Sequence, residues 1–165
     1  MPNGEFDPQQ ESGASISRCG HYRYALWRTW DTTRPRLVFI CLNPSTADAV
    51  TDDPTLIRCM GYARDWGFGG VITANLFAWR ATDPRGLRLA ADPIGPYNDR
   101  WLHRLTRAAP RIVAAWGNGG EYLDRANTVR RRIQGLYCLR LTSRNQPAHP
   151  LYLPRDLKAF PLPAP

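Results

Sequence analysis

Residues 36–79, RLVFICLNPSTADAVTDDPTLIRCMGYARDWGFGGVITANLFAW, contain the pattern from which the fold class is predicted. The first segment, 36–42, is short, apolar and rich in β-favouring residues, which is typical of a buried strand. Residues 54–67 carry apolar side chains at helical spacing, with Asp53 at the N-cap position and a proline directly after it. Residues 70–79 are strand-like again. Strand, helix and strand in this order predict a crossover unit with two parallel strands.

The same alternation continues toward the C-terminus. A helical pattern over 96–109 precedes a strand pattern over 111–117, and a helix over 120–133 precedes a strand over 136–141. We therefore predict a three-layer α/β/α fold with a four-stranded, mostly parallel central sheet, because inner strands that are apolar throughout need helices on both faces. Residues 21–30 alternate in polarity and are predicted to add an antiparallel strand before the first parallel one.

The domain organisation predicted from the sequence is simple. Residues 1–17 are polar and form a predicted flexible N-terminal arm, and residues 18–165 form a predicted single α/β domain, long enough to bury a hydrophobic core. The prolines of the final segment, 160–165, exclude a regular helix or an inner strand. No apolar run is long enough to span a membrane and the N-terminus has no secretory signal pattern, so we expect a cytoplasmic protein that does not bind membranes.

Cysteine spacing and charge bear on cofactors and partners. No two of the cysteines stand as a close pair, which indicates buried thiols in a reducing compartment and predicts no metal site and no cofactor. The formal net charge is +8, and Lys158 is the sole lysine. Arginine forks match phosphate oxygens, so a nucleic acid or nucleotide partner is one explanation, and arginine-favouring codon usage is another. The cysteines are Cys19, Cys41, Cys59 and Cys138.

Polar and aromatic residues follow each predicted parallel strand at its carboxyl end. Ligands of open α/β sheets bind beyond these ends, so the residues there are candidates for one pocket. The polar loop after residue 42 is then the rim of that pocket, although Asn and Ser also favour ordinary turns. The candidates are Asn43, Pro44, Ser45 and Asp48 after the first strand, Asn75, Phe77 and Arg80 at the end of the second, Trp116, Gly117 and Asn118 after the third, and Arg144 and His149 after the fourth.

Several of these residues have structural explanations as well. Asp53 is explained by helix capping, whereas Asp48 and Asp52 are not explained so easily. Phe77 is explained by a place in the core as well as by stacking on a ligand. The glycine-rich run 117–120 before a helix could hold a phosphate on backbone N–H groups, although it lacks the spacing of the established phosphate-binding motifs.

The order of the motifs resembles that of the uracil-DNA glycosylase superfamily. LNPS at 42–45, NLF at 75–77, AWG at 115–117 and HP at 149–150 follow successive strands, as similar motifs do in those enzymes. The longer string that starts at LNPSTAD is also similar to a family of small prokaryotic and phage domains of unknown function, over about residues 20–154.

The resemblance implies an uracil-DNA glycosylase-like fold and hydrolysis of an N-glycosidic bond without a metal. It assigns orientation of the attacking water to Asn43, reading of the base edge to Asn75 and a hydrogen bond to the base oxygen to His149. Either Asp48 or Asp52 would act as a base or stabilise the sugar cation. It further implies that Phe77 stacks on the base and that Arg80 and Arg144 hold phosphates.

Two other functions remain open at this point. Asp48, Asp52 and Asp83 could bind metal ions in a phosphoester or nucleotide hydrolase. Alternatively, the domain could bind nucleic acid or a nucleotide without catalysis, using arginines such as those of the segment 129–133.

Overall fold

The computed structural model describes residues 11–165, which form a seven-stranded mixed sheet with helices packed on both faces. The strands are β1 (Ser12–Ile16), β2 (Arg23–Thr29), β3 (Arg36–Cys41), β4 (Gly70–Asn75), β5 (Ile112–Ala114), β6 (Leu136–Cys138) and β7 (Phe160–Pro161). The α-helices are α1 (Pro54–Asp65), α2 (Asn98–Thr106) and α3 (Arg125–Arg132), and 3₁₀ helices cover Pro84–Leu89 and Asn118–Asp124.

The strand order is β1-β2-β4-β3-β5-β6-β7. The inner strands β4, β3, β5 and β6 pair in parallel, whereas β2 pairs antiparallel with both β4 and β1, and β7 pairs antiparallel with β6. The general α/β prediction and the antiparallel strand within 21–30 are confirmed. The prediction of four strands is wrong, because short antiparallel strands with weak sequence patterns extend the sheet on both sides.

The two added edge strands lie where the sequence showed no strand pattern. Strand β1 falls inside the predicted flexible arm, so the prediction for 1–17 is wrong over Ser12–Ile16, while residues 1–10 lie outside the described residues. Backbone pairing with β2 holds this short segment in place, and Ala14 packs against the core on the α1 face. At the other edge, β7 is only two residues long and contains a proline, which edge strands tolerate.

Two cores lie on opposite faces of the sheet. Along β3, Val38 and Ile40 pack into the core shared with α2 and α3, whereas Leu37 and Phe39 pack into the core shared with α1. This alternation follows from the two-residue period of a strand. Helix α1 begins where the sequence indicated, since the Asp53 Oδ1 atom accepts a hydrogen bond from the Leu56 backbone N–H at 2.8 Å.

The carboxyl ends of β3 and β4 lie side by side, with Cys41 aligned to Asn75. The backbone N–H of Leu76 donates to the Cys41 carbonyl at 2.9 Å, so the two chains leave the sheet together. The residues that follow β3 are thereby placed beside the last residues of β4.

Two expectations from composition can be compared with the structure. All four cysteines are free, and Cys41, Cys59 and Cys138 are buried whereas Cys19 is exposed. Within residues 11–165, no helix combines the length and the apolar character that crossing a membrane requires.

Candidate functional site

A cavity of about 280 Å³ opens on the α1 face of the sheet, at the carboxyl ends of β3 and β4. Four of the candidate residues line it together: Asn43, Ser45, Asn75 and His149. Its volume lies near the lower end of the range typical of small-molecule sites, about 300–1,000 Å³. Apolar side chains of β2 and α1, Leu26 and Leu56, form part of the wall.

Three buried polar atoms without a hydrogen-bond partner in the described residues belong to side chains that line this cavity. The Asn75 side chain is 2% exposed, and its Nδ2 atom has no hydrogen-bond partner among the described residues. The same holds for Thr73 Oγ1 on the same strand and for Arg23 Nε on β2. Buried polar groups are almost always hydrogen-bonded in native proteins, so three exceptions at one cavity point to a role in binding.

Asn43 is held in one orientation at the cavity rim. Its Nδ2 atom donates to the Ala81 carbonyl at 2.7 Å and to the Pro44 carbonyl at 3.1 Å. Because the amide hydrogens are directed to these two carbonyls, the Asn43 Oδ1 atom is left as the acceptor that a ligand or a water molecule can meet.

His149 presents one defined tautomer. Its Nδ1 atom accepts a hydrogen bond from the Leu151 backbone N–H at 3.2 Å, so the ring proton of the neutral imidazole lies on Nε2. Burial lowers the pKa of His149, and the nearby negative charge of Asp53 partly opposes that shift. The cavity is therefore lined by a neutral imidazole with one N–H donor.

Asp53 and Arg23 bring opposite charges to the cavity. Asp53 is 8% exposed, and its Oδ2 atom accepts a hydrogen bond from the Ser45 hydroxyl at 3.2 Å. Burial lowers the pKa of Arg23 to about 10, with Asp53 opposing the shift, so the guanidinium stays charged at neutral pH. The capping interpretation of Asp53 is correct but incomplete. Arg23 was missed because β2 alternates in polarity and also contains Arg28, so its first residue gave no distinct signal.

A polar clamp holds the end of β4 from the opposite face. The Asn98 Nδ2 atom donates to the carbonyls of Asn75 and Leu76, both at 2.9 Å. The buried Arg125 donates through Nε to the Leu76 carbonyl at 2.8 Å and pairs with Asp99 at 2.5 Å. This clamp fixes the backbone that carries the Asn75 amide, and its members Asn98, Asp99 and Arg125 were not among the predicted site residues.

The two predicted catalytic aspartates lie outside the cavity. Asp48 Oδ1 accepts hydrogen bonds from the backbone N–H groups of Val50 and Thr51, which lowers the pKa of Asp48. Asp52 forms an ion pair with Arg28 at 2.9 Å. Neither aspartate lines the cavity, because turn formation and ion pairing engage them elsewhere, and Asp53 is the carboxylate that does line it.

The remaining candidates near β4 also serve structural contacts. Pro44 is buried and its carbonyl accepts from the Ala81 N–H at 3.0 Å. Arg80 donates to the Gly20 carbonyl at 3.1 Å. Phe77 is fully buried in the core on the α2–α3 face, 5.6 Å from the Tyr122 ring, so the predicted stacking on a base is not possible from its position.

Apart from His149, which lines the cavity, the candidates after β5 and β6 are engaged in contacts between the loops that follow these two strands. Trp116 Nε1 donates to the Gln146 side chain at 3.0 Å, and the Gly117 N–H donates to the Pro147 carbonyl at 2.7 Å. Asn118 Oδ1 accepts from the Thr142 hydroxyl at 2.6 Å, and Arg144 pairs with Glu121. None of Trp116, Gly117, Asn118 and Arg144 lines the cavity.

The structure offers no ligand set for the metal-dependent alternative. Asp83 caps a 3₁₀ helix and pairs with Arg85 at 2.6 Å, so its contacts differ from those of Asp48 and Asp52. Across residues 11–165, no three His, Cys, Asp or Glu side chains are grouped so that they could hold a metal ion.

The structure is that of an α/β domain with a small cavity, lined by polar and apolar side chains, at the carboxyl ends of the parallel strands β3 and β4. The chain belongs to the family described as "Protein of unknown function (DUF1643)", whose model matches residues 23–151. That range runs from Arg23 to Leu151 and contains all of the residues that line the cavity. The predicted similarity to a family of unknown function is thereby confirmed. Comparison with curated proteins and with solved structures gave no match.

Proposed function

We propose that the cavity binds a nucleobase of nucleic acid or of a nucleotide, and that the domain hydrolyses the N-glycosidic bond of that base. The observation that carries this proposal is the meeting of two fixed polar groups in one small cavity. Asn75 offers an amide whose Nδ2 has no partner in the described part of the chain, and His149 offers a neutral imidazole with its proton on Nε2.

Base recognition follows from the chemistry of these two groups. A side-chain amide carries one acceptor oxygen and one donor nitrogen, which match the alternating groups on the edge of a nucleobase. The clamp made by Asn98 and Arg125 fixes the backbone from which Asn75 projects. A buried amide that is satisfied only by the correct base discriminates strongly against a base that lacks the matching group.

The leaving base is stabilised by two groups. When the bond between the sugar carbon and the base nitrogen breaks, its electron pair moves onto the base, which becomes negatively charged. His149 Nε2–H is a neutral donor for a carbonyl oxygen that gains charge, and the positive charge of Arg23 lies at the same buried cavity. Fixed donors and charges in a site of low dielectric lower the barrier for such charge development.

Two further residues of the cavity act on the attacking water and on the sugar. Asn43 Oδ1 is free to accept a hydrogen bond from a water molecule and so orient the water oxygen toward the sugar carbon, with which that oxygen forms the new bond. The proton that the water loses finally reaches solvent or the departing base. The Asp53 carboxylate replaces Asp48 and Asp52 as the group that stabilises positive charge on the sugar.

The test is release of free base, measured by chromatography, from single-stranded oligonucleotides and from nucleotides that carry normal or deaminated bases. Asn43→Ala and His149→Ala should each lower the rate by about 10²–10³-fold. The matched controls are Asn127→Ala and His103→Ala, on exposed positions of α3 and α2. Undiminished release by both cavity variants would refute the catalytic assignment, and base binding without any release would identify a binding module instead.

A further inference from the structure

A second cavity, of about 460 Å³, adjoins the first along the outer side of α1. Pro54 and Leu151 line both cavities, so the two are neighbours across these residues. We call this second cavity the α1 groove; besides the two shared residues it is lined by Asp52, Ile57, Arg58, Met60, Gly61, Arg64 and Arg155.

The helical spacing produces the open face of the α1 groove. Ile57, Gly61 and Arg64 follow one another at intervals of four and three residues, which places them on one face of α1. Ile57 is 59% exposed, and a Cβ atom added to Gly61 would meet no atom within 4 Å. Ile57 and the open space at Gly61 together form a shallow apolar surface that another molecule can contact.

Positive charge dominates this groove. Arg58 and Arg64 have no carboxylate partner within residues 11–165, although the Arg64 guanidinium lies 4.0 Å from the centre of the Trp30 ring. The nearby carboxylates are already neutralised, since Asp52 pairs with Arg28 and Asp65 pairs with Arg155 at 3.2 Å. The remaining arginines favour a partner that carries several negative charges.

We propose that the α1 groove binds the backbone of a single-stranded nucleic acid one of whose bases occupies the first cavity. This inference rests on the proposed function and narrows it, because it makes the substrate a strand and not a free nucleotide. Arginine forks bind phosphate oxygens, and the exposed faces of Ile57 and Leu151 give flanking bases an apolar surface. A single strand is favoured over a duplex because its base enters the cavity without being unpaired first.

The experiment measures binding of fluorescein-labelled thymidine and uridine homo-oligomers of one to nine nucleotides by anisotropy, over a series of salt concentrations. Affinity should rise with length and fall with salt. Arg58→Gln and Arg64→Gln should each weaken binding of the longer oligomers by about three- to tenfold and lower the salt slope by about one. Arg100→Gln, an exposed arginine on α2 with the same change of charge, should bind like the wild type.

Position 61 gives a second test that does not depend on removing an arginine. Gly61→Glu places a carboxylate in the groove and should weaken oligomer binding, whereas Gly61→Gln has nearly the same size without the charge and should weaken it less. If the glutamate variant fails to fold, as shown by circular dichroism, the two arginine variants still decide the question.

The outcomes separate this inference from the proposed function. Affinity independent of oligomer length, groove variants that bind like Arg100→Gln, or a duplex bound as tightly as a single strand would overturn the groove assignment. Sensitivity of mononucleotide binding to Asn75→Ala would then still support the first cavity. Conversely, oligomer binding that depends on Arg58 and Arg64 but not on Asn75 would keep the groove and refute the base-binding cavity.

Discussion

The carboxyl ends of β3 and β4 and those of β5 and β6 carry similar polar loops, yet they differ in how their polar groups are satisfied. In the last residues of β4, the buried Thr73 and Asn75 carry polar atoms without partners in the described residues, and both line a cavity. Beyond β5 and β6, Asn118 and Thr142 are bonded to each other at 2.6 Å. A polar residue at a strand end is thus evidence of a site only where the fold leaves it unsatisfied.

The largest expected effect is on stability, when the arginine of the buried ion pair near β4 and that of the surface ion pair beyond β5 and β6 are each replaced. Arg125 is 2% exposed and braces β4 through the Leu76 carbonyl, whereas the Arg144–Glu121 pair lies at the surface. Arg125→Met should lower the free energy of unfolding by about 2–4 kcal/mol, through lost hydrogen bonds and packing. Arg144→Met should lower it by less than about 1 kcal/mol. Urea unfolding measures both, and equal losses would contradict the role of the clamp.

A somewhat smaller effect is expected on ligand binding. Asn75→Ala should weaken binding of a nucleobase by about 10- to 100-fold, because it removes a buried hydrogen-bonding edge. Asn118→Ala, at the end of the neighbouring strand, should bind as the wild type does. The affinity is measured by calorimetry or chemical-shift titration, with the base that the release assay identifies. Similar losses of affinity in both variants would contradict the difference between the two regions.

Replacing Thr73 and replacing Thr142 should change the free energy of unfolding in opposite directions. Thr73→Val removes a buried hydroxyl without a partner and should raise the free energy of unfolding by about 1 kcal/mol. Thr142→Val removes a hydroxyl that donates to Asn118 and accepts from the Gln146 N–H, and should lower it by about 1 kcal/mol. Thermal and urea unfolding of both variants would show the result. A destabilised Thr73→Val would mean that its hydroxyl has a stabilising partner.

The smallest expected effect is a dependence of stability on pH. Because burial lowers the pKa of His149, the unfolded chain binds its proton more readily than the folded chain. Stability should therefore be fully present above the ordinary histidine pKa of about 6.5 and decline as the pH falls through the lower folded value. Melting temperatures of the wild type and His149→Gln between pH 8 and pH 4.5 test this, with His103→Gln as the control. The fall in melting temperature at low pH should be smaller than in the wild type for His149→Gln, and unchanged for His103→Gln.

The sequence predicted the elements whose side-chain pattern is strong. The apolar runs located β3 and β4, and the capping residues located the start of α1. The predicted helix 120–133 begins only at Arg125, because Leu123 and Asp124 adopt positive φ angles that interrupt it. The edge strands were missed because they are short and their residues show no strand pattern.

The candidate site was predicted in part, for similar reasons. Asn43, Asn75 and His149 follow strand ends and do line one cavity, whereas Arg23 comes from an antiparallel strand to which the strand-end rule does not apply. Phe77 was misplaced because the strand pattern was extended to residue 79. Strand β4 ends at Asn75, so the alternation that would have put Phe77 beside Asn75 stops there, and its ring enters the opposite core.

The double engagement of Asp53 has a consequence for how this family can diverge. One carboxylate oxygen holds the first turn of α1, and the other meets the Ser45 hydroxyl at the cavity. Replacing Asp53 by a residue that cannot cap a helix would loosen the start of α1 and remove the negative charge next to His149 in the same step. Asparagine at this position keeps the helix cap while it removes the charge. Asp53→Asn therefore tests what the charge contributes at the cavity without changing the start of α1.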